Sequence, residues 1–252
     1  MDPNLWQVGL LITVGVAAGF LNVLAGGGSL LTVPVMIFLG IPGPVANGTN
    51  RIAILAQNVS ATVAFFRKGL SDFKLSLTLS ACAIPGAIVG AFVGLQLDGA
   101  WFNRILAVIM LGIMLIMYLD KKSSARTEYR EPSRTQLVLG HILMVGVGFW
   151  GGFIQIGVGF IIMPLLNRVI GLDLVRTNMH KVFIVAVYTI AALAVFASQV
   201  QIMWAAGAAL AVGTTIGGYM GAHFSVIKGE KLIRRVLNIV LFLFITKLLF
   251  FP

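Results

Sequence analysis

Residues 86–91 read Gly-Ala-Ile-Val-Gly-Ala and residues 217–222 read Gly-Gly-Tyr-Met-Gly-Ala, and the offset of 131 between them persists over much of the chain. With no further gap it pairs Gly40 with Gly171, Asn47 with Asn178, Asn50 with Lys181, Gly86 with Gly217 and Gly90 with Gly221. Shortened by one, it pairs Pro34 with Pro164. Each proline lies just past a Gly-rich stretch, Gly26-Gly27-Gly28-Ser29 in the first copy and Gly157-Val158-Gly159 in the second. Few other side chains agree, so the recurring breaks carry the argument. Such a chain is expected to fold as two copies of one arrangement.

Of the 252 residues, 59% are hydrophobic and 10% charged, with mean hydropathy +1.00. A water-soluble domain of this length cannot cover so much apolar surface, so the chain reads as a polytopic membrane protein. Apolar stretches fall at 5–24, 30–41, 51–66, 75–97, 102–119, 137–157, 158–170, 182–200, 202–227 and 233–251. The first is preceded by Met1-Asp2-Pro3-Asn4, without the basic flank of a signal peptide, and is expected to be a retained segment. Most of the stretches approach the ~20 helical residues that a ~30 Å hydrocarbon core requires. The stretches at 30–41 and 158–170 do not, because twelve and thirteen residues at about 1.5 Å each reach only about 18–20 Å. They are expected as short tilted helices or as re-entrant hairpins with their predecessors, 5–41 and 137–170. Irregular backbone at that depth is tolerated only where it is buried in protein or lines a cavity. The single cysteine, Cys82, permits no intramolecular disulfide.

The net charge of +10 does not mark a nucleic-acid partner, since no soluble basic domain exists to carry one. The basic residues fall between apolar segments. With the N-terminus outside, every Lys and Arg except Arg51, Arg104 and Lys247 comes to the cytoplasmic side, as the positive-inside rule requires. Both termini are then outside. Arg67-Lys68-Gly69 is inside while its counterpart Ser198-Gln199-Val200 is outside and uncharged. The 98–104 loop is outside while its counterpart 229–235 is basic and inside. The expected fold is therefore an all-α polytopic membrane protein of two inverted-topology repeats. Each has about five hydrophobic segments, including a short or re-entrant broken one. Residues 1–119 form the N-terminal repeat, 120–136 a charged cytoplasmic linker and 137–252 the C-terminal repeat.

All eight acidic residues lie at termini or in loops, so no buried carboxylate is available for a metal, a coupling cation or a proton relay. The intramembrane polar groups are amides, hydroxyls and a few cations, a set suited to an anion. The polar run Asn47-Gly48-Thr49-Asn50-Arg51 opens the third segment. There Arg51 offers a forked donor to an oxyanion, or snorkels to headgroups, and Asn47 and Asn50 either face a ligand or cap the following helix. The counterpart run brings Asn178, His180 and Lys181. Gly27, Gly28 and Ser29 let backbone N–H groups approach a ligand at the start of a short helix, and Gln155 stands at the matching break. Gln57, Asn58 and Asn22 are candidates for lining a path or for interhelical hydrogen bonds, while close helix packing accounts for most glycines. No nucleophile–base pair or metal set stands out, so neither an enzyme nor a cofactor is expected.

The run from Gly19-Phe20 through Ala25-Gly26-Gly27-Gly28-Ser29 and Pro34 to Ala46-Asn47-Gly48-Thr49-Asn50-Arg51 resembles the TauE/SafE sulfite exporter family, also called TSUP permeases. So do Gly69 with Asp72 and both small-residue copies. The second half departs from the family pattern, with Asn178-Met179-His180-Lys181 where Gly-Thr-Ser/Asn-Lys is commoner. The resemblance spans essentially the whole chain. It implies a permease of the bacterial inner membrane for sulfite, thiosulfate or an organosulfonate, with the bilayer as its other partner; a homo-oligomer is neither required nor excluded. The expected mechanism is alternating access at the repeat interface, the alternatives being an anion channel or a non-transporting membrane assembly factor. A dianion leaving an inside-negative cell gains roughly twice ~2.3 kcal/mol per 100 mV, so export needs no coupling ion. Import would need one, with His180 as the titrating group.

Overall fold

The computed structural model describes residues 3–119 and 131–224. Most of the expected 120–136 linker, the last apolar stretch at 233–251 and the basic residues Lys228, Lys231, Arg234 and Arg235 lie outside the described residues. The described residues form helices and no strands: α1 Leu5–Ala25, α2 Ser29–Phe38, α3 Gly43–Arg67, α4 Phe73–Leu95, α5 Gly99–Leu119, α6 Arg134–Phe153, α7 Gly159–Pro164, α8 Leu174–Gln199 and α9 Trp204–Phe224. After Pro164 the chain winds on as a π-helix, Leu165–Ile170. Among the described residues, four helices, α1, α4, α6 and α8, are long and apolar enough to cross a membrane. The ten residues of α2 span about 15 Å, half a bilayer core.

Local chemistry explains several helix starts. Asn4 with Gln7 and Ser133 with Gln136 form capping boxes at α1 and α6. Asp72 caps α4 by accepting from the Leu75 N–H, and Asp173 caps α8 by accepting from Val175 and Arg176. Two helices begin eight residues earlier than their apolar stretches, α3 at Gly43 and α8 at Leu174. Asn47 and Asn50 are therefore not helix caps; α3 is entered through Pro42 with Pro44 in its first turn, and both asparagines lie inside it. Polarity marks a segment's end only where lipid is the neighbour. Here Asn47, Thr49, Asn50, Arg51, Asn178, His180 and Lys181 are all buried against protein.

The main packing pairs are α1 with α9, α4 with α6, α3 with α9, α4 with α8, and α3 with α8. Exchanging α1 for α6, α3 for α8 and α4 for α9 maps this set onto itself. The glycines match as well. A methyl on Gly86 would overlap the Val145 carbonyl and Phe149 N, and one on Gly217 would overlap the Val16 carbonyl and Phe20 N. Gly148 lies against the Ala83 carbonyl and Gly19 against that of Thr214. These helices touch backbone to backbone, which only residues without a Cβ allow. The turns after α2 and after the π-helix each carry a glycine with positive φ, Gly40 at 85° and Gly171 at 95°.

The two ends of the bundle differ. Lys68 donates to the His223 carbonyl, His180 meets Ser76, and His141 meets Thr78. These contacts gather the end of α3, the starts of α4, α6 and α8 and the end of α9, and with them Arg67, Lys68, Lys74, Arg134 and Arg176. At the other end lie the starts of α1, α5 and α9, with exposed Trp6, Trp101 and Trp204. Arg104 is the basic residue there, its guanidinium 5.2 Å from the Trp101 ring.

Candidate functional site

Two interruptions of helical backbone meet in the middle of the molecule. The first follows α1, where Gly26 turns with φ 79° before α2 starts at Ser29. The second follows α6, where Gln155 (φ 61°) and Gly157 (φ 71°) turn the chain into α7. Gln155 is the single non-glycine residue with positive φ among the described residues, a conformation that costs a side chain steric strain. The breaks touch. A Cβ placed on Gly26 would overlap the Gly159 backbone, and one on Gly159 would overlap that of Gly26. Beside this crossing lies a small cavity with polar lining from Asn22, Ser29, Asn58, Gln155 and Lys181 and apolar lining from Ile54, Val158 and Val185. It has room for about one water molecule.

Lys181, 3% exposed, brings the charge to this lining. Its Nζ donates to the carbonyls of Asn22 (3.1 Å) and Val23 (2.7 Å) in the last turn of α1, and to Asn178 Oδ1 at 2.8 Å. Met163 Sδ lies 3.7 Å away. Three oxygen acceptors match the three N–H donors of an ammonium group. Helix ends leave carbonyls bare, and a cation there both donates to them and meets the negative end of the dipole.

Arg51, fully buried, does the same for the other break. Nη1 donates to the Gly151 carbonyl at 2.9 Å and Nη2 donates to that of Gly152, in the last turn of α6. Its guanidinium sits 4.3 Å from the centre of the Phe196 ring, a cation–π contact. The capped pairs, Asn22-Val23 and Gly151-Gly152, stand at a constant offset along the chain. Each cation projects from a long third-position helix, α3 or α8, onto the broken first-position helix of the opposite part of the chain.

The remaining site candidates fall into two groups. Asn50 supports the first break, donating to Ser29 Oγ at 3.4 Å and accepting from Thr32 Oγ1 at 2.7 Å. Gln57 accepts from Asn22 Nδ2 at 3.2 Å, and Asn22 Oδ1 accepts from Gly28 N at 3.1 Å, which holds Gly27 and Gly28 in place. Gln155 donates through Nε2 to Thr189 Oγ1 at 3.0 Å, while its buried Oε1 has no partner. Asn178 reaches the cavity through Lys181. Away from it, Asn47 donates to the Phe153 carbonyl at 3.0 Å and Arg51 holds α6. His180 pairs its Nδ1 with Ser76 Oγ at 2.8 Å and sets Nε2 3.9 Å from the Asp72 carboxylate. Thr189, Ile54 and Val185 were not evident as site residues. The signal for them is helical spacing: Lys181, Val185 and Thr189 recur every four residues on one face of α8, as Ile54 and Asn58 do on α3.

The model of the family described as sulfite exporter TauE/SafE matches residues 11–248. A probable membrane transporter protein of Haemophilus influenzae is 27% identical over 99% of this chain and 97% of its own length. The probable membrane transporter protein YfcA of Escherichia coli K12 is 29% identical over 96% of this chain and 90% of its own. YunE of Bacillus subtilis, also a probable membrane transporter protein, is 26% identical over 93% and 94%. No solved structure matches. With the family model running through both breaks, both buried cations and the helices that carry them, the chain belongs to the sulfite exporter TauE/SafE family of membrane transporters.

Proposed function

We propose that the protein is a secondary carrier of a small sulfur-containing oxyanion or organosulfonate such as sulfite. It works by alternating access at the interface of two inverted repeats in the bacterial inner membrane. The carrying observation is the crossing of the two breaks, where Gly26 meets Gly159 beside a lining whose charged group is Lys181 and which contains no carboxylate. Intramembrane ionisable groups are costly and mark ion paths, and a cationic one without an acid partner suits an anion. The exchange symmetry of the helix pairs supports the repeat, and the opposite ends at which Gly40 and Gly171 turn support its inversion. Arg67, Lys68, Lys74, Arg134 and Arg176 at one end and tryptophans at the other support a cytoplasmic basic face. A cavity with room for about one water is too small for sulfite, so this arrangement is a closed state and transport requires the breaks to part.

Purified protein in liposomes loaded with radiolabelled sulfite tests this reading. Efflux should saturate with sulfite concentration, compete with organosulfonates and respond to an imposed membrane potential. Ohmic single-channel current would assign a channel instead, and absence of any flux would remove the transport reading.

A further inference from the structure

The two buried cations are equivalent in the fold and unequal at the cavity. Arg51 spends both terminal nitrogens on the Gly151 and Gly152 carbonyls, lies under the Phe196 ring and stays off the cavity lining. Lys181 also commits its donors, to the Asn22 and Val23 carbonyls and Asn178, but it stands in the lining itself. Around its ammonium stand the Asn22 and Val23 carbonyls from α1, Met163 from α7 and Asn178 from its own helix. No carboxylate is among them. The neighbouring His180 turns to the opposite side, toward Ser76 and Asp72 of α4. The cavity lining thus offers one cationic side chain, neutral amides and a hydroxyl. Gln155 adds a polar atom that is buried without a partner.

Charge balance then limits the ligand. One negative charge facing Lys181 forms a compensated pair, while a second would be buried with nothing opposite it, at a desolvation cost far above any hydrogen bond on the lining. Resting on the transport reading above, we infer that the site selects anions carrying a single negative charge, hydrogen sulfite over sulfite and sulfonates over sulfate. Each turnover then moves one charge.

Calorimetric titration of the full-length purified protein tests this, with methanesulfonate, sulfate and sulfite as probes on either side of the second ionisation of sulfurous acid. Methanesulfonate should bind at least about tenfold tighter than sulfate and equally at both pH values, while sulfite should weaken about tenfold on the alkaline side. Sulfate binding as tightly as methanesulfonate overturns the inference. So does methanesulfonate changing with pH as much as sulfite, because the change then belongs to the protein. Lys181→Gln should erase the preference for methanesulfonate over neutral dimethyl sulfone, and Lys181→Arg should keep it; a preference retained in Lys181→Gln also overturns the inference. Should that variant not fold, the probes on the native protein decide alone. Binding of none of these anions would instead count against the transport reading, which separates the two failures.

Discussion

Arg51 and Lys181 show how much a side chain's surroundings decide its role. From its position alone, Arg51 is either an oxyanion ligand or a cation snorkelling to headgroups; in the fold, its planar fork matches two successive carbonyls at the end of α6. Lysine at that position keeps the charge and loses the fork, since an ammonium is a compact donor on a flexible stem. Arg51→Lys should therefore cost about 1.5–3 kcal/mol of stability, the value of a hydrogen bond to a charged group. Thermal unfolding in detergent measures this. Anion affinity should stay within about threefold of the native value, and a fall as deep as that of Lys181→Gln would bring Arg51 back to the substrate.

At the scale of helices, glycine placement makes a sharper prediction. Gly146 and Gly152 share α6. Gly146 is exposed, with open space where a Cβ would stand, whereas a Cβ on Gly152 would overlap the Ala87 carbonyl of α4. Gly146→Ala should raise stability by about 0.5–1 kcal/mol through backbone entropy. Gly152→Ala should lower it by about 1–3 kcal/mol through forced separation of α4 and α6. Equal effects in a thermal unfolding assay would mean that the two helices are not in backbone contact.

Most elements were legible from hydropathy: α1, α4, α5, α6 and α9 begin within a few residues of their apolar stretches, and both short helices follow their glycine breaks. The starts of α3 and α8 were not, because a scale built on lipid contact reads a protein-buried polar run as a loop. The matched breaks bring Ser29 and Gln155 to the cavity lining, and the polar run that answers Asn47–Arg51 brings Lys181. What could not be read was which cation reaches the cavity. Arg51 and Lys181 sit one register apart in the repeat, and only the packing of α3 and α8 tells their directions.

For the molecule as a whole, the segregation of charge predicts its sidedness. With Cys82 replaced by Ser, single cysteines at Arg67 or Lys74 should react with an impermeant maleimide only from the cytoplasmic side. Those at the exposed Gln96 or Gln201 should react only from outside. Labelling with the reverse pattern in intact cells would invert the orientation. Division of the chain within 120–130 tests the proposed division into two repeats. Expressed alone, 1–119 and 131–252 should each aggregate or be degraded, and coexpression should yield a copurifying pair. A separately stable half would show that it completes its own helix ends.

That last outcome is opposed by the reciprocal capping. The carbonyls of Asn22 and Val23 belong to a helix that leaves the ribosome well before α8, and the amine that answers them is synthesised 158 residues after Val23. Until then the end of α1 must borrow water or a chaperone for its hydrogen bonds. A helix made early is thus finished late, and the nascent protein stays open to quality control until α8 has entered the membrane.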